Sequence, residues 1–228
     1  MKLGIIKERK SPPDRRVVLT PKICRELQDR FPKLEIVVES SDIRVFTDDE
    51  YKMEGIDVVQ DVSDCEVLLG VKEVPIEHLI PNKKYFFFSH TIKKQPYNRD
   101  LLLAILKNNI ELLDHEVIVN NKEVRLVAFG RYAGIVGAYN GMRTFGLKHD
   151  QFELPKAESL YDREALIKEL NKVSLPKVKV LLSGKGRVGN GAKEMLDGMQ
   201  IREVSVDAFL NQEFEEAVYV QIDVLDYN

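Results

Sequence analysis

The 228-residue chain has no tryptophan, two cysteines and no apolar run approaching the roughly 18 residues that a membrane span requires. Runs such as Leu101–Leu106 stop far short of that length, so no membrane helix is expected. The opening MKLGIIKERK lacks a long apolar h-region and passes straight from a strand-like stretch into charge, which predicts a cytoplasmic protein rather than a secreted one. Cys24 and Cys65 have neither a CxxC partner nor a histidine at ligand spacing, so the expectation is two buried free thiols and no metal site. A charge excess is missing as well. Thirty-four basic residues stand against 37 acidic ones, a net charge of -3, and the basic clusters are short and interrupted. That pattern argues against nucleic acid as a partner.

With 44% hydrophobic and 31% charged residues, the chain has the composition of a globular protein with a sizeable core. Strand-like and helix-like runs alternate, the pattern of a parallel sheet with crossover helices. KLGIIKE, LEIVVES, DVVQD, CEVLLGV, KKYFFFSH and IELLDHE read as six short strands, with helices at TPKICRELQDRF, TDDEYKMEG and NRDLLLAILKNN. These form an α/β unit over residues 1–128. Residues 129–228 read as a connecting helix, whose small residues Ala133, Gly134, Gly137, Ala138 and Gly141 form a stripe, followed by a second Rossmann-type unit. The polar PKAESLYDREALIKELNKV reads as one helix, and REVSVDAF as the strand that follows the glycine-rich turn. His78 and His149 fall in segments read as polar loops without a role.

Two features carry chemistry. Gly184, Gly186 and Gly189 form GxGxxG directly after the apolar run Val178–Leu182 and at the start of a helical run. In that context the glycines permit a tight turn, a close approach to a pyrophosphate, and close helix–strand packing. Asp207 lies 18 positions beyond Gly189, at the end of the strand read there, where an acid accepts hydrogen bonds from an adenosine ribose and repels a 2'-phosphate. This favours NAD over NADP. A strand–helix turn without a nucleotide, with Asp207 as an ordinary surface residue, is the competing reading.

The second feature is positional. Ligands of open α/β sheets bind beyond the carboxyl ends of the strands. Standing there are Lys7 and, past a loop, Arg15 and Arg16, then Lys72 and Glu73, Ser89 and His90, and Asp114, His115 and Glu116. Lys72 is either a solvated strand end or a base, and His90 either a hydrogen-bonded core histidine or a proton-transfer group. Arg16 either pairs with Asp14 or offers a fork to a carboxylate, while Glu73 and Glu116 are counter-ions or partners of the two catalytic groups. Taken together, a lysine, a histidine, acids and arginines on one rim point to a polar site with acid–base capacity and an anion-binding side.

KERKSPPDRRVVLTP, LLGVKEVP, YFFFSHTIKKQ, LLDHE, VAFGRYAGIVGA and GKGRVGNGA, in that order, resemble the N-terminal part of the alanine dehydrogenase superfamily, and more closely its saccharopine-forming and lysine-forming branch. The resemblance covers nearly the whole chain and implies an oxidoreductase that interconverts saccharopine with lysine plus 2-oxoglutarate by hydride transfer with a nicotinamide cofactor. An alanine or opine dehydrogenase and a non-catalytic homologue are the alternatives. It implies Lys72 as base and His90 as acid, with Arg16, Gln95, Phe129, Glu73 and Glu116 on the substrate side. Gly184, Gly186, Arg187 and Gly189 would line the pyrophosphate and Asp207 the ribose. The sequence departs from the lysine-forming enzymes at Val124 and Arg131. The resemblance leaves room for a homo-oligomer. A doubly wound nucleotide domain takes about six strands, and after Val178 there is room for two or three. The sequence therefore predicts an N-terminal fragment with a complete acid–base rim, a half-built nucleotide site and weak NAD binding of its own.

Overall fold

The computed structural model describes residues 1–226. The chain divides into two compact units, Met1–Ala128 and Phe129–Asn228.

The first unit holds β1 (Lys2–Ile5), α1 (Pro21–Arg30), β2 (Glu35–Glu39), α2 (Asp48–Met53), β3 (Asp57–Val59), β4 (Val67–Leu69), β5 (Lys84–Phe87), α3 (Arg99–Lys107) and β6 (Glu111–Asp114). Its six strands pair in the order β3-β2-β1-β4-β5-β6, and every pairing is parallel. The helices start where local chemistry dictates. Thr20 accepts the Ile23 amide at 3.4 Å, with Pro21 in the first turn of α1, while Thr47 and Glu50 form a reciprocal capping box on α2. Alternation along β2 sends Val37 to one face of the sheet and Ile36 and Val38 to the other. Val37 joins Leu68, Tyr85, Phe87, Leu101 and Ile105, and Ile36 and Val38 join Ile5, Cys24, Tyr51 and Ile56. Leu68 and Phe87 are fully buried, each contributing about 1.5–3 kcal/mol by leaving water. Both thiols are buried, which raises Cys24 to about 12 and Cys65 to about 11.

The second unit holds α4 (Gly130–His149), α5 (Arg163–Leu170), β7 (Lys179–Ser183), α6 (Arg187–Gly198), β8 (Arg202–Glu203), α7 (Val206–Asn211) and β9 (Val218–Ile222). Its sheet has three parallel strands among the described residues, ordered β7-β9-β8. Tyr139, Leu170, Met195 and Tyr219 fill the core. Three expectations are corrected here. The polar helix is only α5, because Asp162 caps it by accepting the Ala165 amide at 2.8 Å. The strand at REVSVDAF ends after Glu203, because Ser205 accepts the Ala208 amide at 3.2 Å and starts a helix. His149 is the last residue of α4, its ring 4.7 Å from that of Phe145, and not part of a loop.

The small-residue stripe serves a close helix crossing. A Cβ on Gly134 would lie 1.9 Å from the Val188 carbonyl oxygen, so α4 and α6 meet backbone to backbone. Gly134→Ala is expected to destabilise the protein by more than about 3 kcal/mol, because packed backbone on both sides leaves no room to relax. A urea midpoint equal to wild type would refute the crossing.

Candidate functional site

In the first sheet β1, β4, β5 and β6 are consecutive neighbours and run parallel, so their carboxyl ends form one continuous rim. Lys72 and Glu73 follow β4, His90 follows β5, and Glu116 follows β6. Past β1, the Glu8 carboxylate accepts the Val71 amide at 2.6 Å and the Lys72 amide at 2.9 Å. It thereby pins the segment that carries Lys72. Burial pushes the Glu8 carboxyl above its usual range, against the pull of those two amides.

Arg16 takes up Asp14, with its Nε 2.9 Å from Oδ1 and its Nη2 on Oδ2. The Arg16 hydrogen bond holds the Asp14 carboxyl below its usual range, and the nearby positive charge of Lys72 acts in the same direction. Of the two readings of Arg16, the structure therefore contains the pairing with Asp14, and both residues lie within electrostatic reach of Glu8.

His90 is held by acids at both ring nitrogens. Nδ1 lies 3.1 Å from Glu116 Oε2, and Nε2 lies 3.7 Å from Glu73 Oε1. Lys93 Nζ also reaches Nδ1 at 3.1 Å and Glu116 Oε1 at 3.3 Å. A neutral ring can thus accept from Lys93 at Nδ1, and a protonated one can donate to Glu116, so the surroundings serve both protonation states. Burial raises the Glu116 carboxyl, but the hydrogen bonds from His90 and Lys93 outweigh it and leave it below its usual range. Arg125 approaches Glu116 at 3.6 Å, and Lys10 holds the other oxygen of Glu73 at 2.9 Å. His90 itself has φ 57°, in the left-handed region that residues with a Cβ rarely adopt. The turn is maintained from below: the buried Asp114 carboxylate accepts the Ser89 amide at 3.2 Å, its hydroxyl, and the Glu116 amide at 2.8 Å. One carboxylate therefore aligns the loops bearing His90 and Glu116.

Lys72, Glu73, His90 and Glu116 are thus brought to one rim. Gln95 stands in an exposed loop just beyond, its amide oxygen accepting the Tyr97 hydroxyl at 2.5 Å. Phe129 lies in the second unit, immediately before α4. Sequence reasoning overlooked the anchoring by Glu8 and left Asp114 and His115 without roles. An acid standing directly past β1 was the available signal for Glu8.

In the second unit β7 leads into Gly184 at φ 92°, and α6 begins at Arg187 after Gly186, which caps it without a side chain. A Cβ on Gly189 would lie 2.0 Å from the Gly184 carbonyl, whereas one on Gly186 would point into open space. The uncapped amides of α6 and the bare Gly186 backbone suit a dinucleotide pyrophosphate. Asp207, however, lies in the first turn of α7 and accepts the Asn211 amide nitrogen at 2.8 Å, so it ends no strand. The strand beside β7 is β9, and the acid that follows it is Asp223. Lys185 of the glycine turn pairs with Asp226 at 3.2 Å.

His115 is 7% exposed, and burial lowers its affinity for a proton, with the charge of Asp114 opposing. Because the unfolded chain takes up a proton first, this residue's contribution to stability is complete above the usual histidine value near 6.5 and is lost as pH falls through that value toward the folded one. His115→Gln should therefore flatten the slope of the urea midpoint below pH ~6.5. A slope equal to wild type would show that His115 is not the titrating group.

Residues 4–136 match the family described as alanine dehydrogenase/PNT, N-terminal domain. The chain is 38% identical over 148 residues to an alpha-aminoadipic semialdehyde synthase of Arabidopsis thaliana, covering 63% of this chain and 14% of that one. It is 30% identical over 212 residues to the saccharopine dehydrogenase (NAD(+), L-lysine-forming) of Candida glabrata, covering 86% of this chain and 56% of that one. An L-alanine dehydrogenase structure superposes with a TM-score of 0.61 at 17% identity over 99% of this chain and 62% of that one, a likeness of fold. The chain thus spans about half of the dehydrogenase and a small part of the synthase.

Proposed function

The chain belongs to the alanine dehydrogenase/PNT N-terminal domain family, and on that premise we propose that it takes part in interconverting saccharopine with lysine plus 2-oxoglutarate. The observation that carries this reading is the meeting of Lys72, Glu73, His90 and Glu116 at the carboxyl ends of neighbouring parallel strands. Oxidising a secondary amine and cleaving the product by water needs repeated proton transfer at nitrogen and at oxygen. Lys72 is the base that removes the proton from the substrate's secondary ammonium nitrogen. His90 takes a proton from the water that attacks the resulting imine carbon and delivers one to the nitrogen that leaves as lysine. Glu116 and Glu73 stabilise the imidazolium between those two events.

Saccharopine carries three carboxylates, so cations around the rim are required. Arg16, oriented by Asp14, and Gln95 bind carboxylate or amide-bonding groups of the substrate. A nicotinamide cofactor, when bound, supplies the hydride exchange. Gly184, Gly186, Arg187 and Gly189 would hold its pyrophosphate. The ribose would meet the carboxylate of Asp207, 18 positions beyond Gly189, or that of Asp223, which follows the strand paired with β7. A carboxylate there favours NAD over NADP.

The test is oxidation of NADH with lysine plus 2-oxoglutarate, followed for wild type, Lys72→Met and His90→Gln. Each variant should fall by about 10²–10⁴-fold in kcat, the usual worth of a positioned acid or base. Wild-type turnover of pyruvate and ammonium with none of lysine and 2-oxoglutarate would refute the substrate assignment.

A further inference from the structure

His115 does not belong to the proton-transfer set, yet it touches what holds both halves of that set in place. Its Nε2 lies 3.1 Å from the Gly70 carbonyl oxygen. Facing an acceptor, that nitrogen carries the hydrogen, and the ring is the neutral Nε2–H tautomer. Nδ1 is buried and has no hydrogen-bond partner among the described residues. A buried acceptor left unpaired costs stability, so the ring is placed for what its other edge and its faces do.

Gly70 is the residue after β4 and stands two positions before Lys72. Its amide also donates to Phe86 at 2.8 Å, so the Gly70 peptide is clamped by β5 on one side and by His115 on the other. The His115 ring further packs on Phe88, with centroids 5.2 Å apart. Phe88 is in turn the ring on which the His90 imidazole stacks, 6.4 Å away with planes 28° apart. One side chain, placed at the end of β6 directly before Glu116, thus contacts the strand end that carries Lys72 and Glu73 and the ring that supports His90.

We propose that His115 is a positioning residue for the Lys72–His90 pair: its Nε2–H anchors the end of β4 while its ring backs Phe88, keeping the base, the acid and Glu73 at working separation. The proposal rests on the proton-transfer reading above. Because reacting groups lose rate steeply on displacements near 1 Å, the anchor acts on turnover more than on binding.

The full chain is compared as wild type, His115→Phe and His115→Gln. Phenylalanine keeps a ring but has no donor, and glutamine brings an amide N–H to about the place of Nε2. Two readouts are taken: the His90 ring resonances in ¹H–¹⁵N spectra at one fixed pH, and kcat and KM for lysine. His115→Phe is expected to move the His90 resonances and to lower kcat roughly tenfold with KM changed less than about twofold, while His115→Gln stays near wild type in both. His90 resonances that do not move in His115→Phe overturn the proposal, as does a glutamine variant displaced as far as the phenylalanine one. A wild-type chain that turns over pyruvate and ammonium but no lysine refutes the functional reading instead, and the resonance comparison still decides the role of His115.

Discussion

Parallel pairing is the constraint on which the candidate site depends. A parallel neighbour places its carboxyl end on the same edge, and here four strands in a row do so, β1, β4, β5 and β6. Residues far apart in sequence, from Glu8 to Glu116, are thereby delivered to one rim without any long-range side-chain design. The strands are short, three to five residues, so each loop leaves the core while its first residues are still held by ladder bonds. That is what makes a strand end a good place for a side chain that must keep its position.

Ladder bonds alone do not orient the loops. Carboxylates do it, each by accepting backbone amides from another strand end. Glu8 reaches from β1 to the Val71 and Lys72 amides, and Asp114 from β6 to Ser89 and Glu116. Charge-assisted bonds of this kind are stronger than neutral ones and directional. They also bring negative charge near a lysine and a histidine, so the same groups that fix the geometry bias the electrostatics. The left-handed backbone of His90 is tolerable because its neighbour Ser89 is tied by both its amide and its hydroxyl to Asp114.

The second unit is organised by absence of side chains. Glycines in α4 and at the start of α6 let two backbones approach within a distance that no Cβ could occupy. The same smallness leaves the start of α6 without a side-chain cap at Gly186, so close helix packing and a bare helix start both come from glycine. Ser205 shows how a local preference can override a pattern. VSVDAF alternates like a strand, but a serine followed three residues later by a free amide makes a helix cap, and the strand stops at Glu203.

The amino-acid sequence by itself determined the alternation of strands and helices, the caps at Thr20 and Thr47, the glycine turn after β7 and the identity of the residues at the strand ends, because each depends on neighbours within a few positions. Lys72, Glu73, His90 and Glu116 were legible as a group on that basis. Strand order was not, since it is set by which faces pack and not by adjacency in the chain. Only the tertiary structure put β9 and not β8 beside β7, and so placed Asp223, and not Asp207, at the end of the neighbouring strand. Only it joined Glu8 to Lys72, Asp114 to Ser89 and His115 to Gly70, contacts between residues 25 to 64 positions apart. A hydrogen bond across such a separation forms after the sheet has brought its ends together, and no local pattern encodes it.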